Sequence, residues 1–195
     1  LMTHKKEDRT FSDFGVLVRT NSLITTLETK FTERGIPTQV TGGQSFFDRK
    51  EIRDIVSYLK VLANQDDDIN LLRVINTPRR GIGRTTLEKM RNVADAHKCS
   101  LYSALNLMAI ATDGQIKEGM QKTLKRFISL IEDFHHQIFS VSAHRNMVLR
   151  TLINEIGYKA YLESEHPDNE AVVAYKMKGI HLLCDMLGRW ERNPD

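Results

Sequence analysis

The stretch from Arg73 to Arg91, RVINTPRRGIGRTTLEKMR, constrains the chain most. Gly81 and Gly83 flank a single apolar residue, Ile82, with basic residues on both sides and a helical pattern after them. Glycine enters the φ > 0 region and lets another backbone come close. Successive amides in such a turn, just before a helix N-terminus, form a concave anion site. Thr85 with Glu88 three residues on reads as a capping box opening that helix. Ile82 is expected to point inward and pin the turn. The pattern resembles a helix–hairpin–helix element, which holds nucleic-acid phosphate by backbone amides.

A Gly-Ile-Gly sequence is also an ordinary tight turn, and charge separates the two readings. Residues 79–98 hold six Lys/Arg against two Asp/Glu, while the whole chain holds 28 against 25, so the positive charge is local. A basic patch beside a phosphate-type turn favours contact with a nucleic-acid backbone. Such contact positions a duplex but reads little base sequence. The candidate contact set is Arg79, Arg80, Gly81, Ile82, Gly83, Arg84 and Thr85.

A chain of 195 residues makes one domain or two small ones. Its 41% hydrophobic and 27% charged content is that of a soluble globular protein. No apolar run approaches the roughly 18 residues of a membrane span, and no signal peptide is visible. Cys99 and Cys184 are isolated, which favours free thiols in a reducing compartment. His135-His136 has no partner at ligand spacing, so no metal site is expected. The chain opens at Leu1 rather than an initiator Met, which reads as a piece cut from a longer protein.

The expected fold is α/β followed by all-α. Phe14-Gly-Val-Leu-Val18 reads as a short buried parallel strand. A helix over 22–34 follows, with Ser22 as N-cap, Leu23, Leu27 and Phe31 at helical spacing, and Gly35 at its C′ position. A second strand is expected at 38–41, and strand–helix–strand order implies a right-handed crossover. Asp48 and Glu51 suggest a capping box before a helix over 49–63, whose stripe is Ile52, Ile55, Val56, Leu59 and Leu62. The polar run Asn64–Asp68 caps a helix over 68–76, ended by Pro78. Beyond it, helices are expected at 85–97, 100–109, 115–139, 142–156, 158–165 and 170–190. The shift in composition near 78 marks a candidate domain boundary.

Arg19 stands at the end of the first expected strand, where open α/β sheets bind ligands. A guanidinium there clamps a phosphate in two-pronged fashion, or else makes a surface ion pair. No G-x-x-x-x-G-K-[ST] phosphate loop occurs. No Ser-His-Asp or Cys-His constellation assembles, and Asp66, Asp67 and Asp68 read as helix cap and dipole partners.

Five segments together resemble one family. They are Val-Leu-Val-Arg19-Thr20-Asn21, then Gly42-Gly43-x-x-Phe46-Phe47-x-Arg49-x-Glu51-Ile52-x-Asp54, then Tyr58-Leu59-x-Val61, Asn64-x-Asp66-Asp67-Asp68, and Arg73-x-x-Asn76-x-Pro78-x-Arg80-Gly81-Ile82-Gly83. Their order and spacing resemble the UvrD/Rep/PcrA helicases of superfamily 1, the Rep branch most. The resemblance is strong over 11–110 and weak over 145–190. It implies an internal fragment of a bacterial, cytoplasmic, nucleoid-associated, ATP-dependent 3′→5′ DNA helicase. Residues 1–78 then correspond to the first part of the RecA-like 2A subdomain, and 79–195 to most of the helical 2B subdomain. Arg19 matches an arginine that reaches the ATP γ-phosphate. Val18 stands where the family usually has an adenine-stacking tyrosine. Asn76 matches a residue near the single-stranded DNA track, and Gly81-Ile82-Gly83 matches the duplex-contacting hairpin. Near the last helix the family has Arg-x-x-Asn, where this chain has Lys176-Met-Lys-Gly179. ATP and Mg²⁺ are the implied cofactors of the parent, and DNA with replication or repair proteins its implied partners. The phosphate loop and the magnesium-holding Asp-Glu motif lie outside this sequence, so the chain alone is expected to be enzymatically silent. The alternatives are a stand-alone DNA-binding scaffold module and a protein-interaction domain.

Overall fold

In the computed structural model, residues 10–112, 114, 116–140 and 144–192 are described. Helix α2 (Lys50–Ala63) lies at the centre, because its stripe is apolar and its neighbours are too. Ile52, Ile55, Tyr58 and Val61 are fully buried and Leu62 nearly so. Around α2 pack α3 (Asp68–Val74), α6 (Glu118–Phe139) and α9 (Glu170–Arg192). Helix α4 (Arg84–His97) lies on α5 (Leu101–Ile110), and α5 lies on α6. Helices α7 (Arg145–Glu155) and α8 (Tyr158–Glu165) pack on each other and on α9. Six of the ten α5 residues are buried, as expected of a helix that is apolar on more than one face.

All these helices match expected ones. At their ends, two of the expected capping boxes are replaced. Helix α2 has Arg49 as its N-cap, and Glu51 turns inward to Lys176 Nζ at 2.8 Å. Helix α4 begins at Arg84 with Gly83 as N-cap, and Glu88 accepts from Arg84 Nε at 2.9 Å instead of bracing Thr85. A long side chain with an ionic partner has more to gain there than from one backbone amide. The acidic run behaves as expected: Asp67 accepts from Asn70 N at 3.1 Å, and Asp68 accepts from Leu101 N at 2.9 Å, capping α5.

The two expected strands are not formed: among the described residues none is in a β-strand. Residues 14–18 and 38–41 make no strand-to-strand hydrogen bond with each other or with another described segment; Phe14 N donates only to Phe11 O of the preceding turn. A continuous apolar run becomes a parallel strand only when neighbours fill its ladder and helices cover its faces. Here Leu17 is fully exposed and Phe14 and Val16 about half so. The described chain is therefore helical throughout its regular structure, and the α/β half of the expected fold class is not seen. Buried residues from both sides of position 78 belong to one cluster.

Helix α1 (Asn21–Thr32) is attached differently. Its Leu23 is half-exposed, and polar bonds hold it. Glu28, buried, accepts from Phe46 N at 2.7 Å and from Ser45 Oγ. Arg49 donates to Thr25 Oγ1 at 2.6 Å. Just past the helix, Glu33 accepts from Arg189 Nε of α9 at 2.7 Å. Burial opposes ionisation of Glu33, but hydrogen bonds from Lys30 and Arg189 outweigh it, and its carboxyl sits below its ordinary value. A depressed carboxyl contributes stability above its unfolded pKa and loses it as pH falls through the folded one. Acidification is thus expected to loosen α1 before α2. Amide hydrogen exchange residue by residue against pH checks this, and simultaneous loss of α1 and α2 protection would disprove it.

Candidate nucleic-acid interface

Helix α3 ends at Val74, and residues 75–83 turn the chain into α4. The side chain of Asn76 organises this turn: its Oδ1 accepts from Arg80 N at 2.7 Å and from Ile82 N at 3.3 Å. Ile82 is 1% exposed and pins the turn to the core, as its sequence position suggested. Gly81 has φ +73, the left-handed region, whereas Gly83 is extended at φ −85 and ψ 179. The conformational demand for glycine therefore falls on Gly81 and not on Gly83.

Gly83 O accepts the first bonds of α4, from Thr86 N and Leu87 N, both at 3.1 Å. The amides of Gly83, Arg84 and Thr85 have no acceptor among the described residues. They open a 14-residue helix and carry the positive end of its dipole. Ile82 contributes no free amide, since Asn76 uses it.

The three arginines of the turn diverge. Arg84 is 92% exposed in its side chain and, among the described residues, its ion pair is with Glu88 on its own helix. Arg79 is 79% exposed and meets Glu165 of α8 at 3.0 Å. Desolvation works to raise the Glu165 carboxyl, but Arg79 and Lys50 together hold it below its ordinary value. Arg80 turns inward. Its Nη1 donates to the carbonyls of Val74 at 3.0 Å, Ile75 at 3.3 Å and Pro78 at 3.2 Å, and its Nη2 donates to Tyr58 Oη at 2.7 Å. Its guanidinium carbon lies 5.1 Å from the Phe127 ring centroid on α6.

Under the turn lies polar support whose bonding the sequence left undescribed. Asp54 is 2% exposed; Arg73 Nε reaches its Oδ1 at 2.8 Å and Tyr158 Oη donates to its Oδ2 at 2.7 Å. Burial, with the Asp54 charge beside it, pushes the Tyr158 hydroxyl far above its ordinary value. Tyr58 Oη donates to Thr77 O at 2.6 Å, bracing the turn from below. One signal was readable: Asp54 sits among Ile52, Ile55 and Tyr58 on the buried stripe of α2, where an unpaired carboxylate is not tolerated.

Arg19 lies elsewhere, exposed and without an ion pair among the described residues. Among those residues no three His, Cys, Asp or Glu are placed to hold a metal ion, and no helix is long and apolar enough to cross a membrane.

Residues 1–147 match the family described as UvrD-like helicase C-terminal domain. The chain belongs to that family. It is 34% identical over 166 residues, 85% of its length, to the ATP-dependent DNA helicase PcrA of Staphylococcus aureus. It is 44% identical over 105 residues, 54% of its length, to the PcrA of Staphylococcus epidermidis. The chain spans 22% of the first relative and 14% of the second. The match to the UvrD-like domain includes both Arg19 and the whole Asn76–Thr85 turn, so the two candidate sites fall inside the shared region.

Proposed function

We propose that this chain is part of an ATP-dependent DNA helicase and that its own share of the work is to grip nucleic-acid backbone. The observation that carries the reading is the opening of α4, in a chain of the UvrD-like family: three amides with no acceptor among the described residues, beside the exposed Arg84 and Arg79. That arrangement suits an anion held at a helix N-terminus. We read residues 1–78 as the beginning of a RecA-like 2A subdomain, whose strands at 14–18 and 38–41 form when the remaining sheet is alongside. Residues 79–195 are most of a helical 2B subdomain, and α3, the turn and α4 act as a helix–hairpin–helix-like element. The ligand is single-stranded, duplex or junction DNA taken without base preference, in the bacterial cytoplasm and nucleoid, with replication or repair proteins as partners.

Within the contact set the roles divide. Gly83, Arg84 and Thr85 supply amides, and Arg84 and Arg79 supply charge. Asn76, Arg80, Gly81 and Ile82 set the shape of the turn. Fluorescence anisotropy with duplex DNA at several salt concentrations tests this. Binding is expected at about 10⁻⁴–10⁻⁶ M at physiological salt, and Arg84→Ala is expected to reduce the salt slope by roughly 1. Binding that ignores salt, or none at all, overturns the reading.

ATP and Mg²⁺ belong to the whole helicase. Of the residues here Arg19 fits the nucleotide: an exposed guanidinium with no carboxylate partner among the described residues suits a γ-phosphate. Val18 offers adenine no aromatic face, so the chain supplies one wall of a cleft and no complete site. In the full-length protein Arg19→Ala is expected to lower kcat more than nucleotide affinity, because a contact that strengthens in the transition state acts on chemistry. An unchanged kcat removes Arg19 from that role.

A further inference from the structure

The start of α4 faces the phosphate turn, and its other end opens onto a different feature. Asp66, His97, Tyr102, Asn106, Glu132 and His135 are among the residues lining an open cleft of about 730 Å³, where the ends of α2 and α4 meet α5 and α6. Helix α4 has 14 residues, so the cleft lies roughly 20 Å along it from the amides at its start.

The chemistry of this end is opposite to that of the turn. The last turns of α2 and α4 carry the negative ends of their dipoles and carbonyls without intrahelical donors. Asp66 and Glu132 add two carboxylates, neither in an ion pair among the described residues. No Lys or Arg is among the lining residues. His135 Nδ1 lies 2.7 Å from Leu62 O, which only accepts, so Nδ1 donates and Nε2 of the neutral ring remains an acceptor.

Carboxylates and helix ends alone describe a solvated acidic surface, and Tyr102 sets this one apart. Tyr102 is 5% exposed, and its hydroxyl is buried with no hydrogen-bond partner among the described residues. Such orphaned groups are rare, because burial without a partner costs free energy. Asn106, beside it in the cleft, donates from Nδ2 to the Tyr102 backbone carbonyl at 2.9 Å. Burial first, and then the charge of Glu132, push the Tyr102 hydroxyl up to about 12. The hydroxyl thus feels the Glu132 carboxylate without bonding it, and an N–H donor placed between the two would bond both.

We propose that this cleft binds a primary alkylammonium group, with Glu132 as its counter-charge and Tyr102 Oη and His135 Nε2 as acceptors. An ammonium has three N–H donors directed apart, which suits three separate acceptors, whereas a guanidinium is a planar fork suited to one carboxylate. A metal ion is a poorer fit, since among the described residues no three His, Cys, Asp or Glu are placed to hold one. The ammonium comes from a lysine side chain of a partner protein or from a polyamine. The cleft is independent of the phosphate turn, and no DNA enters its test.

NMR titration of the chain, ¹³C-labelled in its tyrosine and histidine rings, with butylammonium chloride tests the proposal. Butanol keeps the carbon chain without the charge, and tetramethylammonium keeps the charge without N–H. The Tyr102 and His135 signals are expected to shift saturably with butylammonium and not with either control. Glu132→Gln is expected to weaken binding about tenfold, and Tyr102→Phe, followed at His135, about threefold. Asp133→Asn removes the same charge from an exposed neighbour that does not line the cleft, and is expected to bind as the parent does. Neither Glu132→Gln nor Tyr102→Phe deletes a side-chain hydrogen bond seen among the described residues, so both are expected to fold, which a thermal melt verifies. A blocked lysyl tripeptide and spermidine, titrated in the same way, distinguish the two sources, and tighter binding of either supports the site. If butylammonium moves the two signals no more than butanol does, if tetramethylammonium binds as well, or if Glu132→Gln titrates like Asp133→Asn, the cleft holds only solvent and the proposal is overturned.

Discussion

Arg73→Ala is expected to cost the fold about 3 kcal/mol, with little direct effect on any DNA contact. The reason is Asp54. Its side chain is 3% exposed, and Arg73 places both Nε and Nη2 at 2.8 Å from Oδ1. Removing one partner of a buried pair strands the other charge, which typically costs about 3–5 kcal/mol. The lower end applies here because the Arg73 side chain is 29% exposed and water can follow it in. Tyr158 Oη still donates to Oδ2 in the variant, so Asp54 keeps one partner. Tyr158→Phe removes that bond alone and is expected to cost about 1–2 kcal/mol. The pair Asp54→Leu with Arg73→Met removes both charges and is expected to recover most of the Arg73→Ala loss. Urea unfolding of the four proteins measures all of this. A loss below about 1 kcal/mol for Arg73→Ala would mean that the triangle is not what ties α2, α3 and α8 together.

That triangle shows what was legible in advance and what was not. Helix positions were legible because an amphipathic stripe is local: the α2 stripe and the α9 span can be read without knowing their partners. Gly35 and Gly157, both at positive φ, end or separate helices where expected. The strands expected at 14–18 and 38–41 are not formed among the described residues, for a complementary reason. A strand is a property of a pair, and a run such as Phe14–Val18 carries no record of whether a neighbour is present. Caps failed at Thr85 and Glu51 because ionic partners, Arg84 for Glu88 and Lys176 for Glu51, outcompeted backbone amides. Lys176 lies 125 residues away from Glu51, beyond any local pattern. The candidate site was legible as charge and as turn shape. The direction of each side chain was not: Arg79, Arg80 and Arg84 look equivalent as letters, and only the carbonyls at the end of α3 distinguish the middle one.

Arg80→Ala is therefore expected to behave as a structural mutation, costing about 2–4 kcal/mol. Val74 and Ile75 close the last turn of α3, where helix carbonyls have no intrahelical donor. The Arg80 guanidinium serves Ile75 O, joins Thr77 N and Tyr58 Oη at Val74 O, serves Pro78 O as well, and donates to Tyr58 Oη at 2.7 Å. Hydrogen bonds to a charged group contribute about 1.5–3 kcal/mol each, and bonds that share one group do not add fully. Contact with the Phe127 and Tyr58 rings, at 5.1 and 6.0 Å to their centroids, adds to the loss. Arg80→Lys is expected to restore little, because a point ammonium cannot reproduce the planar fork that serves the carbonyls and Tyr58 together. DNA binding supplies the decisive contrast. Arg80→Ala loosens the turn, so affinity falls, but no phosphate contact is deleted and the salt slope stays that of the parent. Arg84→Ala keeps its stability and loses about one unit of slope. Urea unfolding and salt-dependent anisotropy on the two variants separate the cases. If Arg80→Ala instead keeps full stability and loses a unit of slope, its guanidinium meets phosphate in the complex, and the inward geometry describes only the free protein.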